Sequence, residues 1–230
     1  MRGAARTGPL DKKRAFSEAE WQWVRGIADS LETEFDWTGP AAARLRFVLD
    51  FCYGTGLRAS EFSTSTLGSL ETDSNADSWI QVDGKGRRSG KVALPPLARH
   101  ALDRYLIERG IPVSQRLWNP ETPILGRIES DSLQQLSTSR LWGIVKKFFE
   151  TAATAAQILD PSLASRLRQA SPHWMRHTHA SHALASGAEI TTVRDNLRHA
   201  SISTTSVYLQ GEDLRRARQM GVAFPRGPRQ

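Results

Sequence analysis

The order of apolar and polar positions divides this chain into segments of helical and strand type. In FSEAEWQWVRGIADSL, Ser17 and Glu20 stand three apart, ahead of apolar positions at helical spacing. That is a capping box, in which each side chain satisfies the other's backbone N–H. The spacing predicts a helix from about 18 to 31. GPAAARLRFVLDFCYGTG repeats the pattern, with Leu45, Val48, Leu49 and Cys52 on one face. Pro40 suits its first turn, and Gly54 or Gly56 its end. SWIQVDGKGRRSGKVALPP instead reads as two short β-type runs around a Gly-rich basic turn, a hairpin presenting its basic residues on an exposed loop. PLARHALDRYLIERG returns to helical spacing and stops at Gly110. RLWGIVKKFFETAATAAQIL, PSLASRLRQ, HWMRHTHASHALASG and ITTVRDNLRH supply further helices, with Gly187 as a stop, and residues 205–213 continue as one short helix. The expected fold is mainly α with a small antiparallel β-sheet (α+β), without internal repeats.

Composition narrows the class. With 230 residues, 39% of them hydrophobic, the chain can bury a sizeable core. No run approaches the roughly 18 apolar residues of a membrane span, and MRGAARTGPLDKKR lacks the apolar centre of a signal peptide. The expected location is cytoplasmic, with no membrane partner. The single Cys52 allows no intramolecular disulfide and no Cys-based zinc site, and reads as a buried filler.

The net charge of +7 is unevenly placed. Arg2, Arg6, Lys12, Lys13 and Arg14 crowd the N-terminus against Asp11. Lys85, Arg87, Arg88, Lys91, Arg99 and Arg104 follow in the middle against Asp103, and Arg215, Arg216, Arg218, Arg226 and Arg229 fill the tail. Such clusters suit a polyanion, most commonly nucleic acid, a solvated basic surface being the alternative.

Five of the six histidines lie between 173 and 199. His173 and His177 have the i, i+4 spacing of zinc ligands on a helix. The residues between them, however, are Trp174, Met175 and Arg176, with no Glu to act as base and an Arg that repels a cation. This argues against a metal. Arg176 shares a helix face with His173, which by itself is a surface pair.

Four blocks, GTGLRASEF, the DGKG turn, SPHWMRHTHASHALASG and NLRHASISTTSVYLQ, together resemble the tyrosine recombinases of the phage integrase family, in order and near the family's spacing. His199 follows Arg176 by 23 positions and Tyr208 follows His199 by nine. The resemblance runs from about Phe16 to Leu214. It implies that Arg58 and Arg176 grip a phosphate, that Lys85 is the hairpin lysine, that His173 and His199 are the two active-site histidines, and that Tyr208 is the nucleophile. Glu61 matches an acidic position that orients Arg58 or another site residue. Arg87, Arg88, Lys91 and Arg198 are expected to contact DNA.

The residue chemistry agrees with those roles. Phosphoryl transfer is catalysed mainly by positioning and charge stabilisation, and two Arg forks can hold both non-bridging oxygens without a metal or other cofactor. A tyrosine of pKa about 10 is ~0.1% ionised at pH 7, a deficit of roughly 4 kcal/mol. Arg58, Arg176 and His199 would offset much of it. His173 suits a general base, and Lys85 suits protonation of the departing 5′ oxygen. The implied partner is double-stranded DNA, bound by a homotetramer, with a monomer as one option for the free form. The implied activity is site-specific recombination through a 3′-phosphotyrosyl link, serving integration, excision or inversion of a mobile element without ATP. A cleavage-deficient regulatory homologue and a type IB topoisomerase-like enzyme are the alternatives.

Two features depart from the family pattern. Arg198 occupies a position usually held by Gly, and His179 one usually held by an aromatic, read here as a packing change. Family members also carry an N-terminal DNA-clamping domain of ~100 residues, a common small-domain size, where about 15 residues precede the first helix here. The expected organisation is a basic arm over 1–15, a catalytic domain over 16–214 and a basic tail over 215–230. In the family such a tail packs on a neighbouring protomer, with Val222, Ala223 and Phe224 as the apolar plug. A disordered tail is the alternative.

Overall fold

A central helix organises the computed structural model, which describes residues 14–83, 89–128 and 134–199. It is preceded by α1 (Glu18–Asp29), whose capping box is formed as expected: Ser17 N–H donates to Glu20 Oε2 at 2.7 Å and Glu20 N–H to Ser17 Oγ at 3.3 Å. The helix stops earlier than its apolar pattern suggests, because Ser30 (φ −98°, ψ 9°) breaks it and a short α2 (Leu31–Glu34) follows. The central helix is α3 (Gly39–Thr55), with Pro40 in its first turn. Gly56 ends it in the left-handed region at φ 67°, its N–H donating to Cys52 O at 2.9 Å. A short α4 (Ala59–Thr64) begins directly after Arg58 and has no counterpart among the sequence expectations.

The hairpin is present as β2 (Ser78–Asp83) and β3 (Ser89–Ala93), and a three-residue β1 (Leu70–Thr72) adds an edge strand. All pairing is antiparallel in the order β1-β2-β3, and Leu70, Ile80 and Val92 align as a buried row. Next come α5 (Pro96–Glu108), α6 (Thr138–Ala156), α7 (Pro161–Gln169), α8 (Pro172–Ala185) and α9 (Ile190–Asn196). Helix α6 ends three residues short of its expected apolar run, leaving Ile158 and Leu159 in solvent at 92% and 84% exposure. Asp160 then caps α7 by accepting from Leu163 N–H at 2.9 Å.

Aromatic pairs tie these helices together. Phe47 of α3 stacks on Tyr105 of α5 (4.3 Å, 9°), and Phe51 stacks on Phe62 of α4 (5.1 Å, 22°). Each such pair adds about 0.5–1.5 kcal/mol beyond its buried area. On the other side of α3, Phe16 packs on Trp174 of α8 and Phe149 of α6. Phe16 is further pinned by α8, since its N–H donates to Thr178 Oγ1 and its carbonyl faces His182 Nε2, both at 3.0 Å. Arg166 Nη2 donates to Ala15 O at 2.6 Å, so the protein already holds the chain at Ala15. A separate small cluster of Ala180, Leu184, Val193 and Leu197 seats α9 on α8. Cys52 is buried in the main core, and burial pushes its thiol pKa well up, consistent with a filler.

Gly56 is required twice. Its φ is costly for any residue with a side chain, and a Cβ there would lie 2.7 Å from the His179 ring and 2.8 Å from Leu197 Cδ2. Gly143, within α6, would meet nothing within 4 Å. We therefore expect Gly56→Ala to lower stability by at least about 1–2 kcal/mol. Gly143→Ala should be neutral or stabilising by up to about 1 kcal/mol. Denaturant midpoints at unchanged slope check both.

Candidate active site

The turn between α3 and α4 places Arg58 at a helix start beside an acid. Glu61, 7% exposed, takes Arg58 N–H at 2.9 Å on Oε2 and Arg58 Nη1 at 2.7 Å on Oε1. The same Oε1 also takes Arg198 Nη1 at 3.2 Å. Glu61 thus holds the side chains of both Arg58 and Arg198. Arg198 has φ 54°, the left-handed region that makes Gly common there, at a cost of roughly 1–2 kcal/mol for a residue with a Cβ.

Arg176 lies on α8 at 4% exposure. Its Nη1 donates to Gly56 O at 2.5 Å and its Nη2 to Leu197 O, joining the end of α3 to the end of α9. His199 follows that second turn, its N–H donating to Arg194 O at 3.0 Å. Burial, then the positive fields of Arg176, Arg58 and His177, drive its pKa down to about 3. His173, at the start of α8, keeps substantial contact with solvent. Partial loss of hydration lowers its pKa, and Arg176, Arg58 and Arg14 lower it further. The same two arginines act on both histidines, so these four residues share one electrostatic neighbourhood. With its pKa that low, His199 carries no charge at pH 7 in the DNA-free chain.

His179, expected as a packing change, both packs against Gly56 and acts as a hydrogen-bonded bracket. Its Nδ1 faces Tyr53 O at 2.7 Å and its Nε2 faces Asn196 Nδ2 at 3.3 Å. Asn196 Oδ1 accepts from Ala93 N–H at 2.8 Å, which turns its amide nitrogen toward Thr55 O (3.2 Å) and His179. A carbonyl on one side and an amide N–H on the other select the neutral imidazole with its proton on Nδ1. This chain of bonds links α8, the end of α3, α9 and β3. Nothing in the sequence signals Asn196 beyond its place at the end of a short helix, because its partners come from distant segments.

Lys91 and Arg198, both expected to face DNA, are engaged within the protein. Lys91 Nζ pairs with Glu71 across the sheet while staying about half exposed. Lys85, Arg87, Arg88, Tyr208, the helix expected over 205–213 and the tail over 215–230 lie outside the described residues. Among the described residues no group of three or more His, Cys, Asp or Glu could hold a metal ion, and no helix is long and apolar enough to cross a membrane.

A sequence model of the Phage integrase family matches residues 24–215. This chain belongs to the phage integrase family. Tyrosine recombinase XerC of Neisseria meningitidis serogroup C is 32% identical over 222 residues, covering 96% of this chain. Tyrosine recombinase XerD of Mycobacterium tuberculosis is 33% identical over 173 residues, 74% of this chain and 49% of that protein. The integrase-family chain spans 64% of the length of the XerC relative. Among solved structures, the pre-cleavage complex of XerH site-specific recombinase bound to its difH substrate aligns with TM-score 0.65 at 19% identity, covering 93% of this chain and 55% of that one. Tn1549 transposon integrase in complex with transposon right end DNA aligns with TM-score 0.62 at 15% identity, covering 95% and 67%. The fold is therefore that of tyrosine recombinase catalytic domains.

The His179 bracket carries a pH dependence. Burial, outweighing its bond to the Tyr53 carbonyl, lowers its pKa from the ordinary 6.5 to about 4. Between those values the unfolded chain binds more protons, so the stability present above about 6.5 is lost as pH falls toward 4. We expect His179→Phe to be less stable than wild type at pH 7 by about 1–3 kcal/mol, because Asn196 loses its acceptor. Urea titrations should show that gap narrowing as the pH is lowered through this window.

Proposed function

We propose that this chain cleaves and rejoins double-stranded DNA, with Tyr208 as nucleophile and Arg58, Arg176, His173, His199 and Lys85 as its partners, in site-specific recombination. The observation that supports this best is the meeting of the Arg58 and Arg176 fields on two histidines held neutral. Such a site is short of an anion. A phosphodiester supplies one, and its arrival offsets the arginine repulsion that adds to burial in keeping both imidazoles unprotonated.

The step balances as follows. Tyr208 Oη attacks phosphorus, the bond from phosphorus to the 5′ oxygen breaks, and a 3′-phosphotyrosyl link forms. His173 takes the phenolic proton, and Lys85 gives one to the departing 5′ oxygen. The arginines and a hydrogen bond from His199 stabilise the charge that grows on the non-bridging oxygens. The link keeps the bond energy, so a 5′ hydroxyl from another strand reverses the step without ATP or a metal. Two rounds of exchange require four active sites, which matches a tetramer on DNA with the tail over 215–230 passed between neighbours. Integration, excision or inversion of a mobile element is the role we assign.

The test uses nicked duplexes with a randomised core, incubated with the full chain and captured as SDS-resistant, protease-sensitive adducts. Wild type should form adduct and Tyr208→Phe none, with duplex binding retained in both. Binding without adduct in wild type would leave a regulatory DNA-binding protein. Adduct persisting in Tyr208→Phe would overturn the nucleophile. Adduct with relaxation of supercoils but no strand exchange would indicate a topoisomerase.

A further inference from the structure

Arg198 stands where backbone geometry favours glycine, so its side chain must be explained by what it touches. The arm runs back across β3 at Gly90, where even a methyl group would lie 2.9 Å from Nε and 3.2 Å from Cδ. It ends on Glu61 Oε1, the oxygen that also holds Arg58 Nη1. The side chain is only 16% exposed, so most of it is packed against protein. Three elements meet through it: the turn that carries His199, the strand that follows the DGKG turn, and the start of α4 with Arg58.

We propose that Arg198 is a positioning residue, a strap that holds the His199 turn against β3 and shares Glu61 with Arg58. Two cations on one carboxylate leave a net positive charge, whereas glycine here would leave Glu61 to neutralise Arg58 alone. The strap therefore keeps more of the Arg58 field available to a phosphate. Gly90 is the complementary feature, since its missing side chain is the channel through which the arm passes. The inference rests on the reading of Arg58 and His199 as active-site residues, and it is tested so that the two can fail separately.

The structural readout needs no catalysis. In nitrogen-15 spectra of the full chain, the Arg198 Nε–H signal should be dispersed and slow to exchange in wild type and should collapse to the solvent-averaged position in Gly90→Ala. An averaged signal in wild type, or an unchanged one in Gly90→Ala, overturns the strap. The functional readout is the single-turnover rate of adduct formation on the randomised nicked duplexes. Arg198→Gly and Gly90→Ala should each slow it roughly 10- to 100-fold, as small misplacements of reacting groups do. Duplex affinity and thermal midpoint should hold or, for Arg198→Gly, the midpoint should rise. The double variant should be no slower than Arg198→Gly, because both act on one contact. Arg198→Lys, which keeps the charge and loses the fork, should recover part of the rate. If Arg198→Gly instead weakens duplex binding and reduces its salt slope by about one, while Gly90→Ala behaves as wild type, Arg198 is a phosphate contact and the strap is wrong. A wild type that forms no adduct defeats the proposed function, and the strap is then decided by the Nε–H signal.

Discussion

Burying the guanidinium of Arg176 constrains everything around it. A cation taken out of water is costly unless its N–H groups find acceptors, and here two backbone carbonyls turn toward it, from Gly56 and Leu197. Each belongs to a helix end that breaks right-handed geometry, at Gly56 itself and at Arg198 directly after Leu197. Helices α3 and α9 thus stop where they do because the carbonyls past their ends have an acceptor's task. The two turns carry Arg58 and His199 onward, so one interaction sets the spacing of most of the candidate site.

The electrostatic character of the site follows. Fixed positive charge surrounds histidines that burial and repulsion keep neutral, while the acid nearest Arg58 is shared with a second arginine. Such an arrangement is poised for an anion. The carboxylate orients the guanidinium of Arg58 without taking up all of its field, which separates positioning from neutralisation.

Much of this was legible in the chain itself. The capping box at Ser17, the stop at Gly56 and the pairing of the two hairpin strands are local patterns, and local patterns survive translation into structure. Strand β1 was not legible, because a three-residue edge strand has too little alternation to be distinguished from a turn. Helix α4 was hidden inside a motif read for chemistry rather than for its backbone. The destination of the Arg198 arm and the bond of His179 to Tyr53 depend on partners more than a hundred residues away in sequence. The charge state of His199 depends on burial, which no residue type declares.

The seating of α9 has a consequence for cooperativity. Val193 of that helix and Leu197 just past its end enter the small cluster against α8, with Ile190 partly buried beside them, apart from the aromatic core. Its remaining anchors are polar: the Asn196 bonds and the Arg176 contact with Leu197 O. Releasing α9 with the His199 turn disturbs few apolar contacts and leaves the stacks around α3 intact. A unit held by a small apolar cluster and a few polar bonds is of the kind that opens below the free energy of global unfolding, so the half of the site that bears His199 is tied to the fold more lightly than the half that bears Arg58.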